Sequence, residues 1–558
     1  MREHDPLYRQ DLIDTARGLR TTGTLFSNAE VFNPFTGEWQ LTDFAVEKGR
    51  VTGTGHYRAH TEVDLKGRRV VPGLIDSHVH IESSLLCPSE FARLVAGHGT
   101  TTVIADPHEI ANVCGASGID YMLSYRGKIP LDLFIMLPSC VPATPSDIGG
   151  AVLEAEDLAV FREREGVIGL GEVMNVPGVL GSDPALFRKL DLFTIIDGHA
   201  PLLTGKDLSA YIAAGIQSDH ECTSASEARE KIRKGMFVYL REGSTERNIR
   251  SLLPAVTREN SNRVSFATDD RHVDMIFDQG HIDDCIRKAI SSGLEPEVAL
   301  RMATLSPAER FGLHDRGALA PGRVADFCVL SPGEEFIVDQ TFRRGLPVRT
   351  DTGLPCIPMA GKFQTIPPRP GDISLQGSGM ARVIGIVPDQ IISVPLVYDV
   401  DPDDVPDTNR DLLKVVVCSR YHPGRIATGL VHGFSLAEGA MAGSVSHDAH
   451  NVIAVGVSDD EICRAMARVI EAQGGLAVIS DTRVSLLPLP CAGLMSAEPY
   501  ERVYSDLQSL NRHLRDIGAI DQAFMYLSFL ALTVIPHLRI TDRGLFDVDT
   551  FAHVPVYT

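Results

Sequence analysis

The sequence predicts an α/β protein: a TIM-like (β/α)8 barrel inserted into a small β-sandwich domain, followed by a C-terminal α/β domain. Three observations predict it. The 558-residue chain is too long for one ordinary core, so two or three domains are expected. Between residues 71 and 316 eight apolar runs alternate with stretches of helical character, the rhythm of eight β-then-α repeats. Short strand-and-turn patterns flank that segment on both sides, and a Pro- and Gly-rich connector sets it apart from residues 361–558.

Residues 1–70 are the first part of the small β domain, with "TLFSNAEVFNPFTGEW", "LTDFAVEKGRVTGTG" and "TEVDLKGRRVV" as short strands between turns. The pattern returns within 317–360 at "GALAPGRVADFCVLS" and "EEFIVDQTFRRGLPV", so the two pieces are expected to pair into one sandwich around the insertion. The barrel runs of 71–316 are "VVPGLIDSHVH", "GTTTVIADPHE", "LDLFIMLPSC", "GVIGLGEVM", "LFTIIDGHA", "AGIQSDHE", "GMFVYLREGS" and "RVSFATDD". Helices such as "SEFARLVAGH" and "SASEAREKIRKG" fall between them. Residues 361–558 open on "QTIPPRPGD" and alternate strands ("LLKVVVCSR", "NVIAVGVS") with the helix "DEICRAMARVIEAQGG"; their most polar motif is "SVSHDAHN", residues 444–451.

Composition narrows the function classes. Hydrophobic residues at 44% and charged residues at 22% describe a folded globular chain rather than a disordered one. A net charge of -21 argues against nucleic acid as a partner, since phosphate binding wants a basic surface, but leaves room for a free base in a pocket. "MREHDPLYRQ" is polar with no apolar h-region after it, and no apolar stretch reaches membrane-spanning length, so neither a leader nor a membrane partner is expected. Ten scattered cysteines without a CxxC pair point to reduced thiols and a cytoplasmic protein. Neither GxGxxG nor GxxxxGK[ST] is present, so no phosphate cradle competes for the function.

Nearly every barrel run ends in His, Asp or Glu, and strand C-termini of such a barrel converge on the mouth where its active sites sit. His78 and His80 share one face of the first strand end, because strand side chains alternate with period two. Glu172 ends the fourth run, His199 the fifth, His220 the sixth, and Asp269 or Asp270 the eighth. A lone buried histidine is ordinarily a core residue; four imidazoles and two carboxylates at one mouth suit one or two divalent ions among Zn, Mn, Fe and Co. Such an ion brings the pKa of bound water to about 7. Glu172 can offer one oxygen to each of two ions, and Asp269 can bind metal and take a proton from the attacking hydroxide. The parts describe hydrolysis or hydrolytic deamination.

The order HxH, carboxylate, His, His, Asp resembles the amidohydrolase superfamily, and within it the bacterial adenine deaminases. The resemblance spans nearly the whole chain: "PGLIDSHVHIESS", "TTVIADPHEIANVCG", "PSCVPAT", "GLGEVMNVPGV", "DGHAP", "TDDRHVD", "GHID" and, far downstream, "GSVSHDAHN" and "AGLMS". It implies a binuclear centre with His78 and His80 on the first metal, Glu172 bridging, and His199 and His220 on the second. Asp269, taken over Asp270 because it comes first after "SFAT", would bind the first metal and shuttle the proton. Mn2+ or Fe2+ is expected ahead of Zn2+ or Co2+. The implied reaction is hydrolysis of adenine to hypoxanthine and ammonia by metal-activated hydroxide, with another aminopurine or a cyclic amide as the alternative substrate. Glu82, Glu109 and Glu221 are the candidate acids for protonating the ring and the leaving amine. "GHID" places His281 either over the base or in a loop-fixing role, and Arg241 is expected to pair with Glu242 in the wall. His447, Asp448 and His450 have three readings: a lid, a contribution to a neighbouring subunit's site, or a cap on their own domain. Self-association is expected of a barrel enzyme with this many domains, with the subunit number left open.

Overall fold

The computed structural model describes residues 6–333, 335–350 and 355–558; the parts of the sequence expectations that touch residues 1–5, 334 and 351–354 lie outside them. Eight parallel strands follow one another in chain order: Leu74–Val79, Thr100–Ala105, Asp132–Leu137, Val167–Val173, Ile196–Gly198, Ser218–Asp219, Phe237–Arg241 and Val264–Ala267. Hydrogen bonding divides them into runs of five and three, joined where the Gln217 amide donates to the Ile196 carbonyl and where Val79 bridges Asp269. These strands read as unbroken apolar runs rather than alternating ones because helices cover them outside and side chains fill them inside. Ile75, Ile104, Phe134, Met136 and Tyr239 pack together within the ring.

The segments before and after the barrel share one eight-stranded sheet. Phe327–Leu330 pairs antiparallel with Arg69–Pro72, register Phe327 to Pro72. The long strand Thr22–Asn33 shifts register between Phe26 and Ala29, so its first half pairs with Ala59–Asp64 and its second with Arg69–Pro72. The sheet thereby folds over an aromatic core in which Phe26 stacks on Phe44 at 5.0 Å and meets Phe327 edge-on at 4.9 Å.

The C-terminal region carries a second eight-stranded sheet, from Gly379–Ile386 to Arg483–Pro488. The amphipathic helix Asp459–Glu471 lies on one face, burying Ile462, Ala465, Met466 and Val469 against Val416, Ala442 and Ala454. Its start is written locally: the Ser458 hydroxyl accepts from the Glu461 amide, and three acidic residues occupy the first turn. All ten cysteines are free, eight of them buried.

A buried ion cluster joins barrel and β domain at the start of the third barrel strand. Asp132 receives Arg316 at 2.7 Å and also pairs with Arg343 of the strand Val338–Arg343. Burial alone pushes the Asp132 carboxyl up, but Arg316 and then Arg343 outweigh it and bring it down to about 2. Replacing Arg316 with Met leaves that carboxylate short of its main partner, so Arg316→Met is expected to destabilise the protein by about 3 kcal/mol. Calorimetry should show an earlier first unfolding transition; an unshifted transition would count against the cluster as a joint.

Candidate metal centre and active site

The barrel brings the predicted polar strand ends together. Glu172, on the strand Val167–Val173, stands between two groups of residues. Its Oε1 lies 3.1 Å from His78 Nε2 and 2.9 Å from His80 Nε2. Its Oε2 lies 2.7 Å from His199 Nδ1 and 3.4 Å from His220 Nε2. Asp269 Oδ1 completes the first group, 3.4 Å from His78 and 3.0 Å from His80. All six residues are buried, and each group can hold a divalent cation. The two Nε2 atoms of His78 and His80 face each other at 3.1 Å. Glu172 Oε1, fully buried, makes no hydrogen bond. A buried oxygen with no donor is costly unless a cation takes it. Protonation tells the same story: burial opposes charge on His78, yet Glu172 and then Asp269 outweigh it and push the ring up to about 10. The donor set therefore calls for positive charge between these atoms, and imidazole nitrogens with carboxylate oxygens are what divalent ions of the Zn, Mn and Fe type accept.

A second layer aims these groups. The Asp106 carbonyl accepts from His80 Nδ1 at 2.9 Å, leaving the Nε2 lone pair for the centre. The Asp106 carboxylate accepts the Glu172 amide at 2.9 Å. Asp76, beneath the HxH pair, accepts both the His78 and Thr268 amides at 3.2 Å. Asp269 sits at φ +54, a left-handed conformation held because its amide donates to the His78 carbonyl and its own carbonyl accepts from His80. Its Oδ2 accepts from Arg241 at 2.8 Å, and Arg241 also grips Glu221 with two hydrogen bonds.

That geometry corrects one expectation. Arg241 does not pair with Glu242: successive strand residues face opposite sides, so Arg241 turns inward to Glu221 and Asp269 while Glu242 turns out to Lys288 at 2.9 Å. His281 is decided too. It donates or accepts at Thr100 and Thr268 and lies 3.2 Å from Asp76, at the start of the helix Ile282–Ser291, so it fixes a loop behind the strands and does not line the cavity. Asp270 also lines the cavity, where it bonds the Ser83 hydroxyl and lies 4.0 Å from His447.

The three candidate acids separate. Glu221 lines the cavity at the mouth. Glu82 and Glu109 are not among its lining residues, although Glu109 groups with His80 and His108 and lies 3.5 Å from His447. Extended backbone ends at Val79 and Glu82 begins a 3-10 turn, where its Oε1 accepts from the Ile110 amide at 3.2 Å. Glu109 accepts from the Ser83 hydroxyl at 2.8 Å, and Ser83 also bonds the Asp270 carboxylate. Burial, and then the charges of Asp270 and Glu82, keep the Glu109 carboxyl well above the usual range.

The C-terminal domain closes this site. His447 and Asp448 of its polar motif line the same small cavity as the metal-type residues, together with Ile391 and Leu532. His108 stands 3.6 Å from Asp448, and His447 stacks on Phe529 with centroids 5.0 Å apart. His450 stays behind, its Nδ1 accepting the Ser446 amide at 3.3 Å. Met174, Ile391 and Leu532 carried no signal in the sequence: an apolar residue reads as core whether it faces a core or a substrate.

Fold and site together define a metal-dependent hydrolase of the amidohydrolase kind, and the amidohydrolase family model matches residues 69–348. A second model, the adenine deaminase C-terminal domain, matches residues 392–552. An adenine deaminase of Methanoculleus marisnigri is 62% identical over 92% of this chain and 99% of its own length. One of Methanoregula boonei is 56% identical over 99% of both. The chain belongs to the adenine deaminase family. A β-aspartyl dipeptidase from Fervidobacterium islandicum AW-1 aligns with 59% of the chain and 96% of its own, at 18% identity and a TM-score of 0.44.

Because both groups use Glu172, its loss should weaken divalent-metal binding more than the loss of any one histidine. Glu172→Ala is expected to exceed the roughly 10- to 100-fold that removing a supporting partner costs. Metal content after dialysis, measured by plasma mass spectrometry beside His199→Ala, checks this; equal losses would contradict the shared role.

Proposed function

We propose that the protein hydrolyses adenine to hypoxanthine and ammonia at the barrel mouth. The observation that carries the reading is Glu172, one oxygen turned to each ligand group inside a single cavity at the mouth. His78, His80 and Asp269 would hold one ion and His199 and His220 the other, with Glu172 between them, and Mn2+ or Fe2+ is preferred to Zn2+ or Co2+. When bound, these ions supply a water acidic enough to act near neutral pH.

The remaining work belongs to the chain. Adenine C6 must gain oxygen, N1 must gain a proton, and the amino group must leave as ammonia. Asp269 accepts one proton of the water and delivers it to the departing amine, the water's second proton restores the acid that protonates N1 as C6 becomes a carbonyl, and Arg241 on Oδ2 fixes the Asp269 carboxylate's orientation. Glu109 is the protonated acid of the site: burial keeps its carboxyl high, and the Ser83 hydroxyl and Asp270 connect it to the cavity. Glu82 adds to that environment as a nearby buried carboxyl. Glu221, tied to Arg241, forms the wall beside the reacting ring. We assign the catalytic barrel to 71–316, the β domain to 1–70 with 317–360, and the C-terminal domain to 361–558. The reading places the enzyme in the cytoplasm, with adenine and neither nucleic acid nor a membrane as its partner, and includes self-association.

Protein loaded anaerobically with Mn2+ or Fe2+ should release ammonia from adenine with the ultraviolet change of hypoxanthine formation. Asp269→Asn should lower kcat by about 10²- to 10⁴-fold, the usual worth of a placed acid–base group. No ammonia from adenine by metal-loaded protein would sink the reading and send the search to other aminopurines and cyclic amides.

A further inference from the structure

The cavity has three apolar lining residues among the described residues: Met174 from the barrel, and Ile391 and Leu532 from the C-terminal domain. A purine is largely apolar outside its nitrogens, so these three are the residues against which its ring system can pack.

A second cleft adjoins. It has a volume of ≈ 120 Å³ and is lined by Met174 again, with Thr144, Pro177, Leu203, Val534 and Phe551 among its walls. Met174 thus faces both spaces. Leu532 lines the inner one and Val534, two residues on, lines the outer one. Met174 and the segment 532–534 form the partition between cavity and cleft.

That partition is held from two sides. Arg539, fully buried, bonds only backbone carbonyls among the described residues: Ile535 at 2.9 Å, Phe529 at 3.0 Å, and Ile391 and Pro536 at 2.8 Å. One guanidinium therefore gathers the segment that carries Leu532 and the loop that carries Ile391. On the barrel side the Thr533 hydroxyl donates to Asp147 at 2.6 Å, and Asp147 also accepts from the Thr144 hydroxyl at 2.8 Å. A segment tied by a buried cation at one end and a buried carboxylate in the middle is a fixed wall.

We propose that Met174 and Leu532 are specificity-determining residues, whose partition admits a purine free at N9 and excludes one substituted there. The inference rests on the adenine reading. With C6 turned to Glu172 and Asp269, N9 lies on the far side of the ring system from the reacting amine. A substituent on N9 needs space beyond the inner cavity, and the outer cleft supplies it only if the partition is breached.

The test compares kcat/KM for adenine, 9-methyladenine and adenosine in the metal-loaded wild type, Leu532→Ala, Met174→Ala and the double variant. The wild type should turn over adenine alone. Each single variant should raise the 9-methyladenine-to-adenine ratio about tenfold or more, the worth of a few methylenes in a pocket, and the double variant should accept adenosine. Should Leu532→Ala lose its melting transition, Met174→Ala on the barrel side decides the matter alone. Unchanged ratios in folded, metal-replete variants, or wild-type turnover of adenosine as fast as adenine, would overturn the partition. A wild type that leaves adenine untouched would overturn the adenine reading instead.

Discussion

Glu172 is a buried carboxylate with its two oxygens turned to two different sets of ligands, and the rest of the molecule is arranged around the cost of that placement. Burying so many acids and imidazoles together is unfavourable unless positive charge lies between them. The barrel meets the geometric half of the requirement, since its strands deliver residues 78, 80, 172, 199, 220 and 269 to one point from distant places in the chain. The second layer meets the orienting half. Asp106 fixes both His80 and the Glu172 backbone, and Arg241 fixes Asp269, so the ligand atoms are aimed at one point.

The C-terminal domain is part of the site rather than an attachment to it. Its motif 444–451 supplies His447 and Asp448 to the cavity, and its segment around Leu532 supplies the apolar wall. Closing a barrel mouth with a separate domain removes water from the reacting atoms and strengthens every electrostatic interaction inside.

The metal-type residues were legible because their chemistry leaves few alternatives. Histidines two apart on a strand must share a face, and polar ends on eight successive runs must converge if the runs close into a barrel. Position at the strand end, first after "SFAT", favoured Asp269 over Asp270, and Asp269 Oδ1 lies 3.0 Å from His80 Nε2. Less legible were pairings that depend on side-chain direction. Arg241 next to Glu242 in sequence suggested a bond that strand alternation forbids. His281 in a polar motif suggested the cavity, although it faces Thr100 and Asp76 behind the wall.

By itself the sequence determined the order of domains, the barrel and the identity of the atoms gathered at its mouth, because periodicity and ligand chemistry are local properties. Only the tertiary structure decided which acids reach the cavity, which residues form its apolar wall and what closes it. Those depend on Met174, Ile391 and Leu532 lining one cavity, far apart along the chain and indistinguishable in it from ordinary core residues.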